Sequence, residues 1–241
     1  MRTLLATGLL LAVFAAFALS CSTGTTPGDQ TTANVTANEM VYGTENDEVT
    51  SGDASSAPMD NALLPPTTVT DSVIFAGLVS GTVTVAHDVT WTDTGAAPDV
   101  AFNRTFTFAG TRSFTFSDYS NVPGRTVDGT VSATIASGNF QSSNGGNASP
   151  AVGSTVTHTA TNVNKTITGT VTTTRNGHSY TCAVNLTVDV ISRTTNWTLA
   201  VVSPPDLTSP VVTNRDVTVT GTVTVNGTVF NVNETLMTSL Q

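Results

Sequence analysis

The chain has 241 residues and a formal charge of −9, from 8 basic and 17 acidic side chains. So few cations, scattered along the sequence, exclude a nucleic-acid binder and a polybasic membrane patch. Charged residues make up only 10% of the chain, against a usual share of ~25%. The polar surface must therefore come from Thr, Ser and Asn, while 39% hydrophobic content is too much for a wholly disordered chain.

The first 21 residues have the layout of an export signal. Arg2 gives a positive start, Leu4 to Leu19 is almost wholly apolar, and Ser20-Cys21 ends the run before a Ser/Thr/Gly stretch. The run is short for a transmembrane span of ~20 residues and has no basic flank on its far side. The junction Phe17-Ala18-Leu19-Ser20-Cys21 resembles the lipobox of bacterial lipoproteins. Ser20 and Cys21 match it, whereas Ala18 and Leu19 stand in the reverse of the family's usual order. The resemblance implies removal of residues 1–20, a lipid on Cys21, and the membrane as a partner through that lipid. With Ser22 rather than Asp next, it implies the outer membrane, on either its periplasmic or its surface face. A lipidated Cys21 leaves Cys182 without a disulfide partner, because the chain has only 2 Cys.

Residues 21–68 read as a flexible tether. Thr25-Thr26-Pro27-Gly28, Ser51-Gly52-Asp53 and Pro65-Pro66 are loop chemistry. Neither the strand nor the helix period persists through this stretch. Glu45, Asp47, Glu48 and Asp53 concentrate charge there, without the fixed oxygen spacing and central Gly of a calcium loop.

Residues 69–241 read as an antiparallel β domain, because apolar and polar residues alternate along it. Val73 to Val79 is apolar on both faces and fits a short helix as well. Val83, Val85, His87, Val89 and Trp91 share one strand face. Phe102, Phe106 and Phe108, then Phe114 and Phe116, suggest an aromatic hairpin around Ala109-Gly110-Thr111, and Val131, Ala133 and Ile135 a further strand. Gly138 to Pro150 and Ser203 to Pro210 read as loops. Trp197 to Val201 reads as a short strand ended by Pro204-Pro205.

Asn-Gly is the strongest short hairpin signal, and it occurs at 176–177 and 226–227. A two-residue turn at the first pairs Arg175 with His178, Val171 with Cys182, Gly169 with Val184 and Ile167 with Leu186. At the second it pairs Val223 with Phe230, Gly221 with Val232, Val219 with Glu234 and Val217 with Leu236. In both registers the apolar residues fall on one face and a Thr row on the other. A one-residue slip would destroy that agreement. The Thr-Gly-Thr-Val motif of both first arms, at 168–171 and 220–223, marks an irregular internal repeat. The expected fold is all-β: an antiparallel β-sandwich or a barrel-like coiled sheet built from long hairpins.

The chain carries no Gly-rich phosphate loop, no zinc-protease helix motif and no nucleophile elbow. His87, His158 and His178 fall on apolar-parity positions of different strands, and Cys182 reads as a small core residue. Asp99, Asp118, Asp128, Asp189, Asp206 and Asp216 are scattered over loops and outward positions, with Glu234 the inward exception. The sequence therefore names no catalytic residue, no metal ligand, no ligand-binding residue and no cofactor. The expected function is that of a non-catalytic envelope lipoprotein: a structural or binding module whose partner is unknown, an envelope protein and a glycan being the candidates. The alternative is a carrier that encloses an apolar ligand in a curved sheet.

Overall fold

The computed structural model describes residues 27–50, 66–70, 72–96, 103–145, 151–202 and 205–236. Among the described residues one helix, α1 (Gln30–Thr50), precedes nine strands: β1 (Thr67–Val69), β2 (Ser72–Ala76), β3 (Ser80–Ala96), β4 (Arg104–Ser120), β5 (Arg125–Ser143), β6 (Thr155–Arg175), β7 (His178–Val202), β8 (Pro205–Val225) and β9 (Thr228–Leu236). All nine belong to one antiparallel sheet, which runs as a meander from β3 to β9 and does not close. Both β1 and β2 pair with β3. The all-β antiparallel expectation holds.

Both Asn-Gly registers hold as well. Val171 faces Cys182 and Ile167 faces Leu186, while Val223 faces Phe230 and Val217 faces Leu236. The turn residues have the left-handed backbone that this turn type needs, with φ of 52° and 77° at Asn176-Gly177 and 48° and 86° at Asn226-Gly227. Ile167, Val171, Cys182 and Leu186 are buried, and Thr168, Thr170 and Thr172 face solvent.

The strands are longer than alternation alone suggested. β4 to β8 hold 17 to 25 residues each. The expected hairpin at Ala109-Gly110-Thr111 is instead the middle of β4. Gly110 takes a φ of 150°, and a Cβ there would lie 2.2 Å from the Asp88 carbonyl oxygen. The glycine thus lets two strands approach closely; it does not reverse the chain. The expected loop from Gly138 is β5 as far as Ser143, and that at 203–210 is β8 from Pro205 onward. The Trp197 segment is the end of β7. Val73 to Val79 contains β2, not a helix: Val73 and Phe75 turn inward and Ile74 outward.

A line of irregularities explains why the long strands read as halves. Register shifts fall between Phe108 and Gly110, between Ile135 and Asn139, and between Val190 and Ser192. Asn162, at a φ of 52°, lies among them. Bulges bend a strand and interrupt its alternation, so this line creases the sheet across β4 to β7.

The largest correction concerns the tether. Residues 30–50 of the expected flexible segment form α1, and the sheet wraps around it. From Thr32 to Thr44 no side chain of the helix is exposed. The helix touches β2 and every strand from β4 to β9. The neighbours Tyr42 and Gly43 reach Arg215 on β8 and Phe116 on β4, four strand spacings apart, or roughly 19 Å in a flat sheet. Ala33, Ala37, Met40 and Val41 join the core that the inner faces of the strands supply.

The local sequence is poor in helix formers, with Thr, Asn, Val and Gly throughout. Asp29 caps the first turn, its Oδ1 accepting the Thr32 N–H at 2.6 Å. Enclosure supplies the rest. The small residues Ala33, Ala37 and Gly43 let the strands come close.

A substitution at Gly43 sets two effects against each other. Alanine favours a helix over glycine by ~1 kcal/mol. A Cβ there would lie 2.5 Å from Cε1 of Phe116, and that ring is itself pinned against Tyr119 at a centroid distance of 5.3 Å. Overpacking of this kind costs about 1–3 kcal/mol. Gly43→Ala is therefore expected to lower the urea midpoint, and Phe116→Leu in the same chain to restore it. A Gly43→Ala chain more stable than the parent would mean that the sheet does not grip the helix here.

Candidate functional site

The inner face of the sheet is not uniformly apolar. Arg104, Arg112, Lys165, Arg193 and Arg215 are each at most 5% exposed, although the chain has only 8 basic residues. Each stands in line with the core residues of its strand: Arg112 with Phe114 and Phe116, Lys165 with Ile167, Arg215 with Val217. A buried cation requires a partner. Arg104 pairs with Asp93, and Arg215 stacks on the Tyr42 ring at 4.6 Å. Arg112, Lys165 and Arg193 are each engaged by other groups as well.

Helix α1 brings countercharge into the same interior. Glu39 is fully buried and pairs with Arg125 at 2.9 Å. Burial raises its pKa above 4.5, partly offset by the attraction of Arg125 and by the Asn121 backbone N–H. At the start of the helix Asp29 pairs with Arg175 at 3.2 Å. The Thr32 N–H, more than Arg175, holds the Asp29 carboxyl below its ordinary 3.8, against a smaller desolvation effect. The interior therefore holds ionic groups from both the strands and the helix.

At the end of the sheet away from the Asn-Gly turns, aromatic rings fill the interior. Trp91 stacks on Phe108 at 4.8 Å and meets Phe106 and Phe140 edge-on. His158 lies between Phe140, at 5.0 Å, and Trp197, at 5.7 Å. Burial, helped by the nearby Arg193 charge, lowers the His158 pKa to about 3. The imidazole is thus neutral near pH 7 and too weak a base for efficient proton abstraction.

The residues weighed from sequence do not converge. His87 and His158 are buried on β3 and β6, and His178 is exposed beside its turn. Among the described residues no group of three or more His, Cys, Asp or Glu could hold a metal ion. Cys182 is fully buried. Its Sγ lies 3.5 Å from Thr36 Oγ1 and gives a hydrogen bond to the Tyr180 carbonyl at 3.7 Å. Glu234 is half-buried opposite Val219 on β8. Cys21, the expected lipidation site, lies outside the described residues.

Sequence reasoning missed the inward cations, although strand parity carried the signal. It also missed an exposed apolar cluster at the turn end of the sheet. There Leu78, Val79 and Val122 project from the β2–β3 and β4–β5 turns. The Leu78 N–H donates to Asn121 Oδ1 at 3.1 Å, and the Val79 N–H to the Ser120 carbonyl at 2.9 Å.

These features define a class by architecture: an antiparallel meander coiled around a helix that precedes it, hydroxylated outside and with paired charges among the apolar residues within. Compared with family models, curated proteins and solved structures, the chain matches none of them.

Proposed function

We propose that this chain is a non-catalytic envelope lipoprotein, a structural or binding module held by a lipid on Cys21 at the outer membrane. The observation that carries this reading is the occupied concavity: α1 lies where a carrier of this shape would hold its cargo. The His158 imidazole, with its pKa lowered to about 3, is too weak a base to serve as a general base near pH 7. The Thr-rich outer face suits a protein that stays hydrated beside a membrane. An envelope protein or a glycan fits such a surface as partner, through hydroxyls and the exposed apolar turns. The alternative of an apolar carrier requires α1 to leave the sheet.

The test is metabolic labelling with palmitate, together with the mass of the mature N-terminus. The expected result is incorporation that Cys21→Ser abolishes, with the variant moving from the membrane to the soluble fraction. Unlabelled protein with an intact signal, or a membrane-bound Cys21→Ser chain, would overturn the anchoring. A stoichiometric lipid other than the covalent one in the purified protein would favour the carrier.

A further inference from the structure

The point where the chain enters the sheet bears on how the domain meets a membrane. Gly28 lies against Val225, beside the turn at 226–227, and Asp29 pairs with Arg175, beside the turn at 176–177. The turns at 77–80, 121–124, 176–177 and 226–227 all lie at this end. They join into one rim. The Val79 N–H bonds to the Ser120 carbonyl, the Asn176 N–H to the Gly124 carbonyl at 3.3 Å, and the Asn226 N–H to the Thr181 carbonyl at 2.9 Å.

The rim carries three large apolar side chains in the open. Leu78 is 77% exposed, Val79 49% and Val122 41%. They form a braced cluster, since Ser120 Oγ also donates to the Val122 carbonyl at 2.7 Å. Ile74, 67% exposed on the outer side of β2, continues it.

With α1 inside the fold, the sequence between Cys21 and the first described residue is short. Only six residue steps separate Cys21 from Pro27, a reach of at most about 22 Å. A lipid on Cys21 would keep this rim close to the bilayer rather than lift the domain away from it. Tethering at that distance gives a local concentration in the millimolar range, enough to favour weak apolar contacts that would not hold a free protein.

We propose that the domain rests rim-down on the membrane that holds its lipid, with Leu78, Val79 and Val122 in the boundary between headgroups and acyl chains. This rests on the lipid-anchor reading of Cys21. The occupant is a lipid surface and not a protein groove for two reasons. The apolar residues sit on projecting turns, and the anchor is attached at the same end. Amphipathic surfaces enter that boundary by burying apolar side chains ~5–10 Å deep.

The experiment uses the full mature, lipid-bearing chain in vesicles of phosphatidylethanolamine and phosphatidylglycerol, with and without brominated acyl chains. Leu78→Trp and Val122→Trp report from the rim, and Val152→Trp from the opposite end, where Val152 is 67% exposed. The buried Trp91 and Trp197 give a common background. Brominated lipid is expected to quench the added rim emission about twofold or more, and the Val152→Trp emission hardly at all. The intact mass of the same sample reads the lipid on Cys21 independently. A lipid-bearing chain whose rim is quenched no more than its far end overturns the docking alone. A chain without the lipid overturns the anchor reading and the docking with it.

Discussion

A fragment spanning residues 66–241 is expected to lose cooperative folding, although it keeps all nine strands. Expected with it are binding of a hydrophobic dye, a broad urea transition and restoration of a sharp one by a peptide of residues 27–50 added in trans. The reason lies in what α1 covers. Burial of Met40 and Val41 contributes about 1.5–3 kcal/mol each. Val83, Phe114, Phe116, Val171, Leu186 and Val223 belong to the same core cluster, and a sheet face stripped of its cover exposes such residues to water. Total domain stability is only about 5–15 kcal/mol, so losing the helix consumes most of the margin. Two further penalties act in the same direction. Arg125 loses its partner Glu39, and the hydroxyl of Thr173 loses that of Thr36, 2.8 Å away. A flexible tether would have none of these effects. A fragment with an unchanged urea midpoint would therefore show that α1 is an appendage.

The contrast between strands and helix shows where sequence reading has purchase. A half-buried strand writes its orientation into every second residue, so the two Asn-Gly hairpins gave partner and face together. Thr on the outside and Val on the inside agreed on both arms. The same period broke down at the crease near Gly110, Gly138 and Asn162. There a bulge shifts parity, and one strand imitates two strands and a turn. The helix left no trace for a different reason. An amphipathic helix is recognised because one side is wet. Between Thr32 and Thr44 no residue of α1 is exposed, only Asn34, Val35, Asn38 and Tyr42 are half-buried, and its buried polar groups find partners inside. Thr36 bonds back to the Thr32 carbonyl at 2.8 Å, Glu39 pairs with Arg125, and Tyr42 stacks on Arg215. With Thr32, Thr36, Glu39 and Thr44 on the buried side there is no clean apolar stripe, and a Thr/Asn/Glu segment reads as linker. The candidate site was half legible by the same logic. Parity alone turns Arg112, Lys165 and Arg215 inward, a signal the sequence reading passed over, whereas the apolar rim depends on which turns become neighbours, a consequence of strand order that no local pattern encodes.

Acid is expected to destabilise the fold from about pH 6.5 downward, and His158 is the cause. Its folded-state pKa is about 3, against an ordinary 6.5, because a positive imidazolium would sit dry among Phe140 and Trp197 and close to Arg193. The unfolded chain binds a proton as the pH drops below 6.5 and the folded chain does not. The neutral ring's stability is therefore fully present above pH 6.5 and is lost progressively down to about pH 3. Linkage gives ~1.4 kcal/mol per pH unit inside that window, or roughly 3 kcal/mol between pH 7.5 and pH 4.5. Asp29 acts in the same direction at lower pH. Its carboxyl is held below 3.8, so its contribution is present above that value and lost as the pH falls through its folded pKa. Glu39 acts in the opposite direction. Its raised pKa makes its contribution fullest below its ordinary value and lost as the pH rises through the folded one. A His158→Phe chain keeps a ring between the same neighbours and removes the titration. Urea melts at the two pH values should show the parent losing about 3 kcal/mol more than this variant. Equal losses in the two chains would mean that His158 takes up its proton in the folded state, so that water or an anion reaches the aromatic end of the interior.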